Sequence, residues 1–162
     1  MADIKNKIIK LLQENCRYSN TQIASMLGIC ENQVEEVIAQ LESEGVIVKY
    51  SAIINSEKLN ENGVEALIQV QVKPQKLKGF DSFAEQLSKF EEVKSVYLIS
   101  GGFDLAVVIC AKDLASVARF VYEKLSVVDG VLNVSSHFIL KKYKIEGQEV
   151  ASSKDNERQI VL

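Results

Sequence analysis

The apolar residues of this chain change their repeat once, and that change limits what it can fold into. From Ile4 to Leu41 they recur three and four residues apart, whereas from Ala66 to Val72 they recur at every second residue. The first spacing puts apolar side chains on one stripe of a helix, the second on one face of a strand. The chain therefore reads as an all-helical part followed by a part built on a sheet.

In the helical part, Ile4, Ile8, Leu11 and Leu12 mark a first helix. Ser19 stands three residues before Gln22, the spacing of a capping box in which each side chain satisfies an orphan amide of the helix start. Ile23, Ala24 and Leu27 supply a short buried stripe, and Gly28 ends that helix where a left-handed backbone is needed. The third helix carries Val34, Val37, Ile38 and Leu41 and stops at Gly45. Three short helices with a tight glycine turn between the last two give a helix-turn-helix outline. Residues 46–50 and 52–54 are β-rich and predict a short strand or wing. Residues 1–54 are thus expected to form a winged helix-turn-helix, and the polar stretch 55–63 a linker.

Residues 64–142 follow the second pattern. Ala66, Ile68, Val70 and Val72 alternate with Gln69 and Gln71 as a half-buried strand, which Pro74 is expected to stop. Phe80, Phe83, Ala84, Leu87 and Phe90 mark a helix, with Ser82 and Glu85 as its capping box. Strands are expected over 93–100 and 105–111, joined by Gly101-Gly102. Leu114, Val117, Ala118, Val121 and Leu125 mark another helix, closed by Asp129-Gly130, and 131–140 is the last strand. The order β-α-β-β-α-β predicts an α+β, ferredoxin-like domain: one four-stranded antiparallel sheet with both helices on one face. The other face is bare and carries apolar residues such as Leu67, so oligomerisation is the physical expectation. Residues 143–162 read as a polar tail whose end, Gln159-Ile160-Val161-Leu162, is either free or paired as an extra edge strand.

Composition narrows the function classes. The 162 residues include 19 Lys and Arg against 22 Asp and Glu, a net charge of −3. No apolar run reaches the ~20 residues of a membrane span. Cys16, Cys30 and Cys110 are an odd number without C-x-x-C spacing, and His137 is the only histidine. Disulfide scaffolds and zinc sites are therefore poor readings, and a cytoplasmic, reducing location is expected. Catalysis lacks parts as well: His137 has no nucleophile placed by a known motif, Asp104 and Asp113 do not form a spaced acid–base pair, and no phosphate-loop or dinucleotide fingerprint is present. We expect no enzyme activity, cofactor or metal.

The helix-turn-helix points instead to double-stranded DNA. On its last helix Asn32, Gln33, Glu36 and Gln40 are the candidate base readers, since Asn and Gln match adenine edges and Glu accepts from cytosine. Lys5, Lys10, Arg17 and Lys49 are the candidate phosphate contacts. Charge objects to this. No Lys or Arg lies between Arg17 and Lys49, and residues 1–50 hold five basic against seven acidic side chains. Phosphate neutralisation supplies most non-specific affinity, so an acidic helix that never meets DNA stands as the alternative. The Gly101-Gly102-Phe103-Asp104 turn is open to two readings: a β-turn in which glycine supplies positive φ and Asp104 bonds the local backbone, or a loop that lets a small ligand approach.

With those pieces assembled, the sequence resembles the Lrp/AsnC (feast/famine) transcription regulators over residues 2–142. The likeness rests on Asp3-Ile4 with the Ile8-to-Leu12 stripe, Ser19-Asn20 before Ile23-Ala24, Leu27-Gly28, and Leu41-Glu42 before Gly45-Val46-Ile47. It continues with Gly101-x-Phe103-Asp104 and Gly130-Val131. The resemblance implies a winged helix-turn-helix for DNA and an ACT-like sheet that dimerises, assembles to tetramers or octamers, and binds amino acids between dimers. It places Gly101, Gly102, Phe103 and Asp104 in the effector pocket. Two alternating family threonines on the last strand correspond here to Val134 and Ser136, so only Ser136 keeps a hydroxyl. Cys30 replaces a serine cap, and Glu36, Val37 and Gln40 stand where relatives carry arginines. The expected function is an oligomeric, amino-acid-responsive DNA-binding regulator; the alternative is an amino-acid-sensing co-regulator subunit that does not touch DNA.

Overall fold

The computed structural model describes residues 2–59, 63–73 and 79–150. Contacts divide the chain into two compact units, Met1–Ile54 and Asn55–Leu162.

The first unit is helical. Helices α1 (Ala2–Glu14), α2 (Asn20–Leu27) and α3 (Glu31–Ser43) close around Ile8, Ile23, Ala24 and Val34, with Ile4, Leu11, Leu27 and Val37 packed at the margin. The capping box forms: the Gln22 amide donates to Ser19 Oγ at 3.2 Å, and the Ser19 amide donates to Gln22 Oε1 at 2.9 Å. Gly28 takes φ +66 beyond α2, and the Ile29 amide reaches back to the Ala24 carbonyl at 3.1 Å. That reversal is sharp enough to bring α3 across α2, as a left-handed cap allows.

One expectation fails in this unit. Residues 46–55 carry no strand. The amides of Val46 and Ile47 instead bond the Leu41 carbonyl at 2.9 and 3.0 Å, and Val48, Tyr50, Ile53 and Ile54 are exposed. A strand exists through its ladder, and every regular element described in this unit is a helix, so β-rich residues here have no backbone to pair with.

The second unit holds a four-stranded sheet of order β2-β3-β1-β4, with β1 Val64–Val72, β2 Val93–Leu98, β3 Leu105–Ala111 and β4 Val131–Phe138. All neighbouring pairs are antiparallel. The crossovers are α4 (Asp81–Leu87) and α5 (Leu114–Arg119), and α5 winds on as a π-turn over Phe120–Leu125. Ala66, Ile68 and Val70 on β1 and Leu105, Val107 and Ile109 on β3 bury one sheet face against Phe83, Leu87, Val117, Phe120 and Leu125. Both helices therefore lie on one side. The opposite face presents Leu67, Tyr97 and Val108 among Gln69, Gln71, Ser95, Ser135 and His137.

Four local expectations need correction here. The Ser82–Glu85 capping box does not form, because α4 begins at Asp81 with Phe80 as N-cap, which leaves Ser82 inside the first turn with a buried, unpartnered hydroxyl. Two strands stop short of their expected ends, β2 at Leu98 where residue 100 was expected and β4 at Phe138 where residue 140 was. Residues 143–150 are a small hairpin, β5 (Lys144–Ile145) with β6 (Gln148–Glu149), which turns through Glu146 and Gly147 at positive φ. Pro74 and the 159–162 edge-strand candidate lie outside the described residues.

Candidate functional site

The candidate reading head is built on α3. Its N-cap, Cys30, has no hydroxyl, and Gln33 supplies the reciprocal half of a capping box: its Oε1 accepts the Cys30 amide at 3.4 Å. Thr21 Oγ1 on α2 donates to Glu31 Oε1 at 2.9 Å and fixes the start of α3 from the neighbouring helix. At 3.6 residues per turn, burial of Val34 and Leu41 puts Asn32, Glu36, Ala39 and Ser43 on the outward ridge of α3. Gln33 and Gln40 fall on the flank toward α1, where they line a cleft of about 190 Å³ with Ile4, Lys5, Glu36 and Val37. The four residues that the sequence groups together, Asn32, Gln33, Glu36 and Gln40, are all exposed on α3: Asn32 lies on the ridge, Gln33 and Gln40 on the flank, and Glu36 borders both. Ala39 and Ser43 join the ridge, and counting from the buried stripe would have found them.

Charge on this head is partly neutralised. Gln40 Nε2 donates to Glu44 Oε1 at 2.5 Å, and Glu44 Oε2 lies 3.6 Å from Lys5 Nζ. Lys7 pairs with Asp3 at 2.6 Å, and that ammonium holds the Asp3 carboxyl below its ordinary range. Lys10, Arg17 and Lys49 are exposed and make no ion pair among the described residues. The Tyr50 hydroxyl donates to Glu42 Oε1 at 3.0 Å and ties the segment after α3 to that helix. Desolvation, with the Glu42 carboxylate beside it, pushes the phenol's pKa up.

The glycine turn joins β2 to β3 at one end of the sheet. Asp104 is its anchor: its amide donates to the Val70 carbonyl at 3.1 Å, its carbonyl accepts the Ile99 amide at 2.8 Å, and its Oδ2 accepts the Val72 amide at 2.9 Å. The carboxylate thus clamps the turn to β1, a strand distant in sequence, and does not bond its own local backbone. Neither Gly101 nor Gly102 has positive φ, and a Cβ on either would meet nothing within 4 Å. Of the two readings of this turn, the one in which its glycines supply positive φ does not hold. Phe103 is half-buried.

Ser136 is not brought to this turn within one chain. It pairs with Ile68, four strand positions from Val72, which is about 13 Å along the strand. It also lies on β4, on the other side of β1 from β3. Val134, its alternating neighbour, pairs with Val70 on the helix-covered face. His137 is exposed, with Ser135 Oγ at 3.3 Å from its Nε2.

Comparison with known proteins bears on both units. The family described as winged helix-turn-helix DNA-binding matches residues 1–48, and the Lrp/AsnC ligand binding domain matches residues 65–149. The chain is 44% identical over 162 residues to the uncharacterized HTH-type transcriptional regulator YugG of Bacillus subtilis, covering 99% of this chain and 98% of that one. It is 37% identical over 145 residues to the HTH-type transcriptional regulator LrpA of Pyrococcus abyssi, covering 89% of this chain and all of that one. Among solved structures, a transcriptional regulator of Neisseria meningitidis in complex with L-Met matches with a TM-score of 0.70 at 27% identity, over 88% of this chain and 91% of that one. The leucine response regulatory protein of Mycobacterium tuberculosis, at 22% identity and a TM-score of 0.76 over 92% of this chain and 99% of that one, shares the fold.

Proposed function

The chain belongs to the Lrp/AsnC family of helix-turn-helix transcriptional regulators, and from that premise we propose that it is an oligomeric DNA-binding regulator whose assembly or DNA affinity answers to a small amino acid. The observation that carries the effector half is the state of Gly101 and Gly102. Backbone conformation does not require glycine at either position, and neither does packing within the chain. A glycine that its own fold does not need is explained by something approaching from outside, where a bare backbone amide is the useful surface. The relative solved with L-Met supports an amino acid as the class of effector. Asp104 then acts as a positioning residue that holds the turn, with Phe103 beside it, and Ser136 enters an effector site only if a second copy supplies it.

For DNA, the outward ridge of Asn32 and Glu36 would face base edges, while Lys10, Arg17 and Lys49 would meet phosphates. Gln33, Gln40 and Lys5 are less available, each already engaged within the head. A second copy would cover the open sheet face around Leu67, Tyr97 and Val108, and dimers would associate further to tetramers or octamers. Doubling the heads doubles the cations offered to one duplex, which offsets a poorly charged helix through avidity. An effector shifts such an assembly only through different affinity for its two states. The expected site of action is the cytoplasm.

The Lys5–Glu44 pair and the acidic face of α3 favour a second reading, a co-regulator subunit that joins a DNA-binding relative in mixed oligomers. Selection of duplex DNA from a random pool by the purified chain, followed by binding across a salt series, separates the two. The first reading expects an enriched, palindrome-like site whose log affinity falls linearly with log salt. Absence of enrichment at low salt, with and without amino acids, would sink it in favour of the second.

A further inference from the structure

Glu31, the first residue of α3, is exposed, yet its side chain is tethered. The Thr21 hydroxyl on α2 donates to Glu31 Oε1 at 2.9 Å, from ten residues away in sequence and across the boundary between two helices. Both side chains are open to water. Neither therefore needs the other to escape the cost of a buried, unpaired polar group. The bond's effect is geometric. It fixes one carboxylate oxygen against α2 and leaves the second, Oε2, without a hydrogen bond or ion pair among the described residues.

The position of that oxygen gives it a use. In a helix-turn-helix the earlier helix crosses the DNA backbone, and the later one lies in the major groove with its opening residues at base edges. Glu31 and Asn32 are the opening residues of α3. A carboxylate only accepts hydrogen bonds. In the major groove cytosine offers the N4 amino donor alone, adenine sets an N7 acceptor beside its N6 donor, and guanine offers two acceptors and no donor. A carboxylate held at that edge is matched by cytosine and repelled by guanine. The sequence of α3 contains no Lys or Arg to neutralise Glu31, so a wrong base leaves its charge unpaired. A tethered side chain also has less rotamer freedom left to lose on binding.

We propose that Glu31 is a specificity-determining residue of the DNA reader, its Oε2 accepting from cytosine N4, and that Thr21 is its positioning residue, holding the carboxylate through Oε1. This rests on the DNA-binding reading of α3 and adds to it a residue outside the set Asn32, Gln33, Glu36 and Gln40. It also gives the acidity of the helix a purpose: the charge selects by excluding bases that present only acceptors.

The test repeats the duplex selection with the full-length parent and with Glu31→Gln, Thr21→Val and Thr21→Ser, after melting curves have established that each variant folds. The parent should enrich a site with cytosine at one position of each half-site. Glu31→Gln should move the preference at that position alone from cytosine to adenine, whose N6 and N7 match a side-chain amide, and should bind the parent's site about tenfold or more weakly. Thr21→Val should flatten the cytosine preference at the same position, and Thr21→Ser, which keeps the hydroxyl, should retain it. An equal change at all positions in Glu31→Gln, or none at any, would mean that Glu31 contributes charge and not recognition; it overturns the proposal and leaves the DNA reading standing. A parental profile in Thr21→Val overturns the positioning role. A parent that enriches no site overturns the DNA reading itself, and this inference with it.

Discussion

The Asp104 carboxylate shows how much one side chain decides at the glycine turn. It accepts the Val72 amide across a strand boundary, in a half-buried setting. Removing it orphans that amide, so Asp104→Ala should lower the stability of the sheet unit by about 1–3 kcal/mol, with Asp104→Asn recovering much of the loss because its amide oxygen still accepts. Urea unfolding followed by a probe in that unit measures both; an unchanged midpoint for the alanine variant would mean that Asp104 does not clamp the turn. Gly101→Ala and Gly102→Ala should behave oppositely, leaving stability within about 0.5 kcal/mol of the parent while blunting any amino-acid response in a gel-shift titration. Gly130 is a different kind of glycine. Its φ is +90, and a Cβ there would lie 2.9 Å from Phe83 Cζ in the core, so Gly130→Ala should cost about 2–4 kcal/mol from backbone strain and overpacking together. A melting curve indistinguishable from the parent's would refute that.

At the scale of elements, caps set where helices start. The Ser19 box satisfies two amides at the start of α2, and Ser19→Ala should remove about 1 kcal/mol from the helical unit. Asp113 caps α5 by accepting the Ser116 amide at 2.7 Å, and that bond holds its carboxyl below the ordinary range. Glu92 is also held low, chiefly by the Lys124 ammonium. Depressed carboxyl pKa values stabilise the fold above the unfolded value and lose that contribution as pH falls through the folded one. The sheet unit should accordingly weaken on acidification from about pH 4 downward, which carboxyl NMR titration beside thermal melts would register; full stability retained well below that range would contradict the assignment. Most elements were legible because period alone encodes them: the Ile8–Ile23–Val34 core and the Ala66–Val72 alternation are read directly. The misses share a cause. Ser82 matched a capping spacing, but the helix started at Asp81; residues 46–54 had strand composition and no partner; the π-turn has no sequence period of its own. Asp104 and Gln33 stand out as residues in the sequence, yet their bonds, to the amides of Val72 and Cys30, depend on where a neighbouring strand and the start of α3 fall.

At the scale of the whole molecule, charge and surface govern association. Glu44 draws Lys5 and Gln40 inward, so Glu44→Gln should tighten DNA binding several-fold and steepen the salt slope by about one contact. An unchanged slope would exclude Lys5 from the phosphate set. On the open sheet face, Val108→Asp places a charge among Leu67 and Tyr97; sedimentation should report smaller assemblies with the fold intact, and an unaltered mass would mean that this face is not the one that self-associates. The second unit carries one further consequence. Asn55, its first residue, donates through Nδ2 to the carbonyl of Val150 at 2.9 Å, and the Val150 amide returns to Tyr143 at 3.0 Å. The first residue of the sheet unit is therefore fastened to Val150, the last of its described residues. A unit whose first residue is tied to its own closing hairpin keeps that tie whatever precedes it: the sheet unit can be grafted behind a different reading head, and a label at the β5–β6 tip reports from beside the point where the chain enters it.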